Sequence, residues 1–219
     1  MQYLLQWQFL AGHVGLKSIS NLREIYKLFN FPEHEVEPIV SAIVEISLRK
    51  EGLILIAIDG PAGSGKTSLA NQLSNKLNSV TTIHMDDLYN GWEDALTATL
   101  TKHLEEWITY PLKEHQGVKY QKFNWASNEY GPSVEVRDIE ILILEGVGAA
   151  QTMIRQQADL TIWIEVGPQI GLARVLNRDG AQILPYMLKW QERERAHFLQ
   201  DQTKENCQIF VDGSNTQIM

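Results

Sequence analysis

Cysteine is nearly absent. The 219 residues contain one, Cys207, so no disulfide can form within the chain, and this usage fits a reducing compartment. Basic residues are the minority, 19 lysines and arginines against 27 acids, for a formal charge of -8. Duplex nucleic acid is bound by a basic face that displaces counterions, so the balance argues against a nucleic-acid binder while leaving room for a local basic pocket. Long apolar runs are also missing. No window reaches about 18 uninterrupted apolar residues, the length a membrane span needs. The opening "MQYLLQWQFLAG" has no basic region, is broken by Gln6 and Gln8, and shows no small-residue cleavage site; the expectation is a cytoplasmic protein without membrane contact. Nor is there a Gly/Ser linker, an internal repeat, a Cys/His cluster at metal-ligand spacing or a Gly-x-Ser-x-Gly elbow. One main domain is expected, without zinc-site or serine-hydrolase signatures.

What is present is 44% apolar residues, enough for a sizeable core. Near the start, Ile19, Leu22, Ile25, Tyr26 and Phe29 recur at helical spacing, with Asn21 and Glu24 placed as a capping pair and Pro32 closing the segment. Val36, Ile39, Val40, Ile43 and Leu48 predict a second helix starting near Pro38. These two form an expected helical extension over residues 1–50, ahead of a domain over 51–219. From there apolar runs predict strands at 53–59, 80–84, 139–145, 160–166 and 208–211, alternating with helices at 66–77, 92–107 and 168–177. Near-continuous Ile, Leu and Val in those runs is the habit of strands buried on both faces, and the alternation implies parallel βαβ crossovers.

The first strand runs into "GPAGSGKTSLA", in which Gly60, Gly65, Lys66 and Thr67 satisfy G-x-x-x-x-G-K-[ST]. Glycines let successive N–H groups turn inward on phosphate oxygens, and the following helix adds the positive end of its dipole. The expected nucleotide-phosphate site is therefore Gly60, Ala62, Gly63, Ser64 and Gly65 with Lys66, Thr67 and Ser68. Lys66 would bridge phosphates, and the Thr67 hydroxyl would hold Mg²⁺. After the second strand, "HMDDLY" brings Asp86 to the carboxyl edge of the sheet, where ligands of open α/β sheets bind. A carboxylate there can take the proton of an attacking hydroxyl or help to hold Mg²⁺; Asp87 reads as a capping or solvated acid. The strand "IEILILEGV" ends in Glu145, placed to hold Mg²⁺. Arg174 and Arg178, one helical turn apart, could neutralise charge on a transferred phosphoryl group, with a lid starting at Asp179–Gly180. The charge run from Glu192 to Arg195 reads as a solvated helix face. Tyr89, Trp92, Tyr120, Phe123, Trp125 and Tyr130 lie between the second and third strands of this set, in a stretch read as irregular, and could form an acceptor pocket. No histidine is assigned a role.

Together "GPAGSGKTSLA", "HMDDLY", "FNW", "LEGV" and "RVLNRDG" resemble the P-loop kinases grouped with uridine kinase, phosphoribulokinase and pantothenate kinase, over roughly residues 53–212. The resemblance implies an α/β P-loop NTPase fold of nucleoside-kinase type: a five-stranded parallel sheet flanked by helices, with a lid. It implies transfer of the ATP γ-phosphoryl, with Mg²⁺, to a hydroxyl of a small-molecule acceptor. Asp86 would match the catalytic base, assisted by Lys66, Arg174 and Arg178. Tyr89 would match a substrate-pocket tyrosine, joined by Tyr120, Phe123 and Trp125, and Glu145 with Thr67 would match the metal ligands. Uridine kinases carry Tyr-Asp-Phe followed by a histidine and an arginine. Here the counterpart is Phe123-Asn124-Trp125, with Asn128 and Tyr130, so a ribose-binding charge and a base-reading histidine are missing. A regulatory P-loop ATPase is the alternative. A GTPase is disfavoured, since Asn75-Lys76-Leu77-Asn78 lies in a predicted helix and ends in the wrong residue. ATP is the expected donor, and association into a homo-oligomer stays open.

Overall fold

The computed structural model describes residues 30–114 and 117–215. The helix expected at 19–29 lies outside them. Strands β1 (Ile54–Asp59), β2 (Val80–His84), β3 (Val118–Asn124), β4 (Glu129–Val136), β5 (Ile141–Glu145), β6 (Leu160–Glu165) and β7 (Ile209–Asp212) divide into two sheets. The larger is five-stranded and parallel, in the order β2-β5-β1-β6-β7. In register, Ile58 stands opposite Glu145, His84 opposite Glu145, and Asp59 opposite Trp163. Asp59, His84 and Glu145 therefore end their strands at one edge of the sheet.

Alternation within the apolar strands sorts residues into two core layers. Ile54, Ile56 and Ile58 pack with Ile141, Ile143, Ile162 and Ile164 under helices α1 (Glu33–Arg49) and α2 (Lys66–Lys76), which contribute Val36, Ile39, Ile43, Leu69 and Leu73. Leu55 and Ala57 face the other way, with Leu142, Leu144 and Trp163. Burial on both faces is why β1 and β5 read as unbroken apolar runs. Helix α1, part of the 1–50 extension by sequence, packs onto one face of the sheet and shares its core. It begins at Glu33, ahead of the expected Pro38, which sits inside it. The hydrogen bond that Pro38 cannot make belongs to the carbonyl of the exposed His34, which water can satisfy. Glu33 and Glu35 in the first turn complement the helix dipole.

The helix expected over 92–107 is broken into α3 (Gly91–Asp94), α4 (Ala98–Leu104), a π-helical turn (Glu105–Thr109) and α5 (Tyr110–Lys113). The break falls where the Thr97 hydroxyl donates to Asp94 and accepts from Thr99 N–H (3.2 Å), side-chain bonds that compete with the helix ladder. The following stretch, read as irregular, is the β3–β4 hairpin. Its signal was the alternation of buried Val118 and Tyr120 with exposed Lys119 and Gln121. Asn124 Oδ1 accepts from Ala126 N–H (3.0 Å) and Ser127 N–H (3.3 Å), and Asn128 takes φ +56° to close the turn. Helices α6 (Thr152–Arg155), α7 (Pro168–Asp179) and α8 (Leu184–Asp201) complete the chain, with Gly180 at φ +92° ending α7.

Candidate active site

The phosphate loop runs from the end of β1 into the first turn of α2, and two glycine positions in it admit no other residue. Gly60 adopts φ +143°, and a Cβ there would lie 2.2 Å from the Ile164 carbonyl oxygen. At Gly63 (φ +77°) a Cβ would lie 2.3 Å from the Gly171 carbonyl oxygen, so the start of α7 sits directly against the loop.

Beneath the loop, Asp59 is fully buried. Its Oδ1 accepts from Gly60 N–H (2.7 Å) and Gly148 N–H (3.0 Å), and its Oδ2 from Ala150 N–H (2.8 Å). One carboxylate thus ties the phosphate loop to the loop after β5, a role its place at the end of an apolar strand did not reveal. Burial pushes its pKa up to about 6, against those N–H bonds and the Lys66 charge. Between the ordinary value of 3.8 and about 6 the folded chain holds a proton that the unfolded chain has released. This stabilisation is fully present below the ordinary value and is lost as pH rises through the folded one, by up to about 3 kcal/mol. Asp59→Asn removes the titration but leaves one N–H facing an amide NH₂. Urea unfolding of the pair is expected to show the wild-type advantage shrinking from pH 4 to pH 7; a pH-independent difference would refute the assignment.

Lys66 folds over the loop, 7% exposed, and its Nζ donates to Gly60 O (2.9 Å) and Pro61 O (2.8 Å). Burial draws the ammonium pKa down, while Glu145, Asp59, Glu194 and Asp86 hold it up against that pull. Thr67 Oγ1 donates to Glu145 Oε1 (2.9 Å), and His84 Nδ1–H donates to the same oxygen at 2.5 Å. Burial would raise the Glu145 carboxyl, but His84, Lys66 and Thr67 more than offset it and keep the group below the usual range. His84, left without a role by the sequence, is drawn down by burial but carried above its ordinary pKa by Glu145, Asp87 and Asp86.

Among the described residues no three His, Cys, Asp or Glu side chains are arranged to hold a metal. Thr67 Oγ1 and the Glu145 carboxylate are nonetheless adjacent hard oxygens. That small donor set fits Mg²⁺, which keeps several waters and completes its shell with phosphate oxygens.

Asp86 sits on the 3₁₀ turn Met85–Asp87 that follows β2, its side chain open to solvent. Protein packed around the cleft and the like charge of Glu145 push its carboxyl up, while Arg178, Lys66 and His84 pull it down. These groups are therefore within electrostatic reach of one another. Trp125 Nε1–H donates to the Asp86 carbonyl (3.0 Å), placing the hairpin turn over this acid.

Several expectations on the acceptor side need correction. Asp87 is not solvated: it is buried and pairs with Lys122 of β3 (2.8 Å). Tyr89 is 1% exposed and donates its hydroxyl to Val147 O (2.7 Å), so it is a core residue. Tyr120 and Phe123 are also buried, because alternate positions of β3 face the core. Of the four aromatics assigned to substrate only Trp125 is partly exposed, and it packs edge-on against Trp92 and Phe123.

The two arginines of α7 separate. Arg174 donates to Gly63 O (3.2 Å), Gly213 O (2.8 Å) and Ser214 O (3.4 Å), so it braces the loop against the segment after β7. Arg178 remains toward Asp86 and is also bonded to the neighbouring Asp179 carboxylate (2.8 and 2.6 Å). In the run 192–195, Glu192 and Arg195 are exposed as expected, but Glu194 is not. Glu194 is 5% exposed and its Oε2 accepts from Ala62 N–H (3.0 Å) and Trp190 Nε1–H (2.9 Å). Burial raises its carboxyl, against Ala62, Lys66 and Trp190.

A glycine-rich loop joining a central parallel strand to a helix, with its lysine and hydroxyl facing an acid from the adjacent strand, defines a P-loop nucleoside-triphosphate-binding fold. Comparisons with known proteins narrow the class. The Phosphoribulokinase / Uridine kinase family matches residues 93–183. The chain is 29% identical over 154 residues to a protein named inorganic pyrophosphatase TTM2 of Arabidopsis thaliana, covering 64% of this chain and 22% of that protein. It is 27% identical over 147 residues to a uridine kinase of Ureaplasma parvum, covering 58% of this chain and 69% of that protein. The chain thus spans less than a quarter of the first of these relatives. A solved structure described as a possible uridine kinase from Bacillus stearothermophilus superposes with a TM-score of 0.60 at 20% identity, over 82% of this chain and 98% of that one, which shows the shared fold. By fold and by these partial matches, the chain is similar to the P-loop kinases of the phosphoribulokinase and uridine kinase type.

Proposed function

We propose that this chain is a phosphotransferase of uridine kinase type that moves the γ-phosphoryl group of ATP to a hydroxyl of a small molecule, with a nucleoside as the first acceptor class to try. The observation that carries the reading is the solvent-open Asp86 carboxylate, within electrostatic reach of Lys66, Glu145 and Arg178 at one edge of the sheet. Bound Mg·ATP supplies the transferable phosphoryl group and a divalent charge. The N–H groups of Gly63 and of residues 65–68 would bind its phosphates, and the Thr67 hydroxyl and Glu145 carboxylate would hold the metal. Lys66 and Arg178 neutralise charge that develops on the equatorial oxygens, and Asp86 orients the acceptor hydroxyl and takes its proton. Arg174 acts through the loop it braces.

A second reading, a regulatory P-loop ATPase without an acceptor, draws support from the burial of Tyr89, Tyr120 and Phe123, which leaves less open aromatic surface for a planar ligand. The similarity to proteins named inorganic pyrophosphatases, each matched over less than a quarter of its length, belongs on the same side. ADP release from Mg·ATP, measured against uridine, cytidine, purine nucleosides, pantothenate, sugars and sugar phosphates, separates the two. Strong stimulation by one acceptor is expected, whereas hydrolysis indifferent to every acceptor would transfer the assignment to the ATPase.

A further inference from the structure

The phosphotransfer reading leaves one buried acid next to the phosphate loop without a task. Glu194 lies on α8, 132 residues from Ala62, yet one of its oxygens receives both the Ala62 N–H and the Trp190 indole N–H. Trp190 is one helical turn away on the same face of α8. Its ring is itself fixed, 5.4 Å from Tyr89 and 5.8 Å from Trp92 between centroids. The indole therefore has little freedom, and its N–H aims the carboxylate at the loop. Ala62 is held from the other side too, because its carbonyl oxygen would lie 2.4 Å from a Cβ at Gly171. Between Glu194 of α8 and Gly171 of α7, residue 62 has almost no room to move.

A buried carboxylate is costly unless its hydrogen bonds compensate. A helix that merely packed on the loop would use an apolar side chain here. The loop's function depends on the directions of its successive N–H groups; the series open to phosphate begins at Gly63, and Ala62 stands directly before it with its own N–H taken by Glu194. Fixing its peptide sets the orientation of those that follow, which lowers the ordering needed when phosphate binds.

We propose that Glu194 is a positioning residue for nucleotide phosphate binding, which, oriented by Trp190, holds the Ala62 peptide of the phosphate loop in its binding-competent orientation. This rests on the reading that the loop binds nucleoside triphosphate. The role is geometric, and two near-isosteric variants separate geometry from charge. Glu194→Gln keeps the length and an acceptor oxygen able to receive both N–H groups. Glu194→Asp keeps the charge but withdraws the oxygen by one methylene.

The test is the Kd of Mg·ATP by calorimetry on the whole chain, with melting temperatures recorded alongside. Glu194→Gln is expected to bind within about threefold of wild type. Glu194→Asp is expected to bind about tenfold more weakly, as the loss of one hydrogen bond to a loop peptide would produce. Wild-type affinity in Glu194→Asp, even with a lowered melting temperature, would make the contact merely structural and overturn the proposal. A glutamine variant as weak as the aspartate would overturn it as well, since charge rather than geometry would then matter. A wild-type chain that binds no Mg·ATP would remove the phosphate reading and this proposal together, an outcome distinct from wild-type binding that survives both substitutions.

Discussion

Asp86→Asn is expected to lower kcat by about a hundredfold or more while the affinity for Mg·ATP changes little. The asymmetry follows from where the side chain stands. Asp86 lies on the turn after β2, outside the phosphate loop and open to solvent, so asparagine disturbs no buried contact and removes no phosphate ligand. What it removes is, among the described residues, the acid in the cleft with both the charge to accept a hydroxyl proton and the exposure to meet an incoming acceptor. Glu145 has the charge, but its Oε1 already receives Thr67 and His84. Asp87 has the charge but is buried and paired with Lys122. Steady-state kinetics with the best acceptor, beside calorimetric nucleotide binding, checks the prediction. An unchanged kcat would take Asp86 out of the mechanism.

Lys66→Ala should reduce kcat/KM for ATP on the order of a hundredfold or more, with the loss shared between nucleotide binding and turnover. The ammonium is 7% exposed and donates to two loop carbonyls, so it stands at the loop before any ligand arrives. Glu145, Asp59, Glu194 and Asp86 surround it, so its deletion leaves several carboxylates facing each other without the central cation. Two consequences follow. Anionic phosphate enters a more negative site, and Gly60 O and Pro61 O lose their donor, at about 1–3 kcal/mol for a buried carbonyl left unsatisfied. The variant is therefore expected to melt lower as well as to bind ATP poorly. Turnover near wild type would remove the phosphate-loop assignment, whatever the melting temperature.

Some of the fold was legible because it is written in short-range patterns. The expected bounds of the five parallel strands agree with the observed ones within about two residues at each end, and for β1 and β5 the unbroken apolar run reports burial on both faces directly. The phosphate loop was legible for a similar reason: φ at Gly60 and the clash at Gly63 admit no side chain, so spacing alone marks the turn. Other elements were not. The β3–β4 hairpin is hard to read along the chain because its alternation is diluted by polar inward positions such as Lys122, whose partner, Asp87, lies far away in sequence. The helix expected over 92–107 failed where Asp94 and Thr97 side chains compete with the backbone.

For the candidate site the division is similar. The order of residues was enough to single out candidates for phosphate chemistry, Lys66, Thr67, Asp86 and Glu145, because each stands at the end of a recognisable strand or at the start of a recognisable helix. It could not show which chemically equivalent neighbours had been taken for other work. Asp86 and Asp87 are identical in type and adjacent in sequence, yet one faces solvent and the other closes an ion pair with the hairpin. Arg174 and Arg178 share a helix face by spacing, yet one is bonded to backbone carbonyls of Gly63 in the loop and of Gly213 and Ser214 after β7. Glu194, set in a run of charges that spacing reads as solvated, reaches across the molecule to Ala62. Periodicity and glycine geometry act over a few residues, so they can be read along the chain. Burial and pairing depend on which elements meet across a hundred residues or more, and they exist only once the sheet and helices have closed on one another.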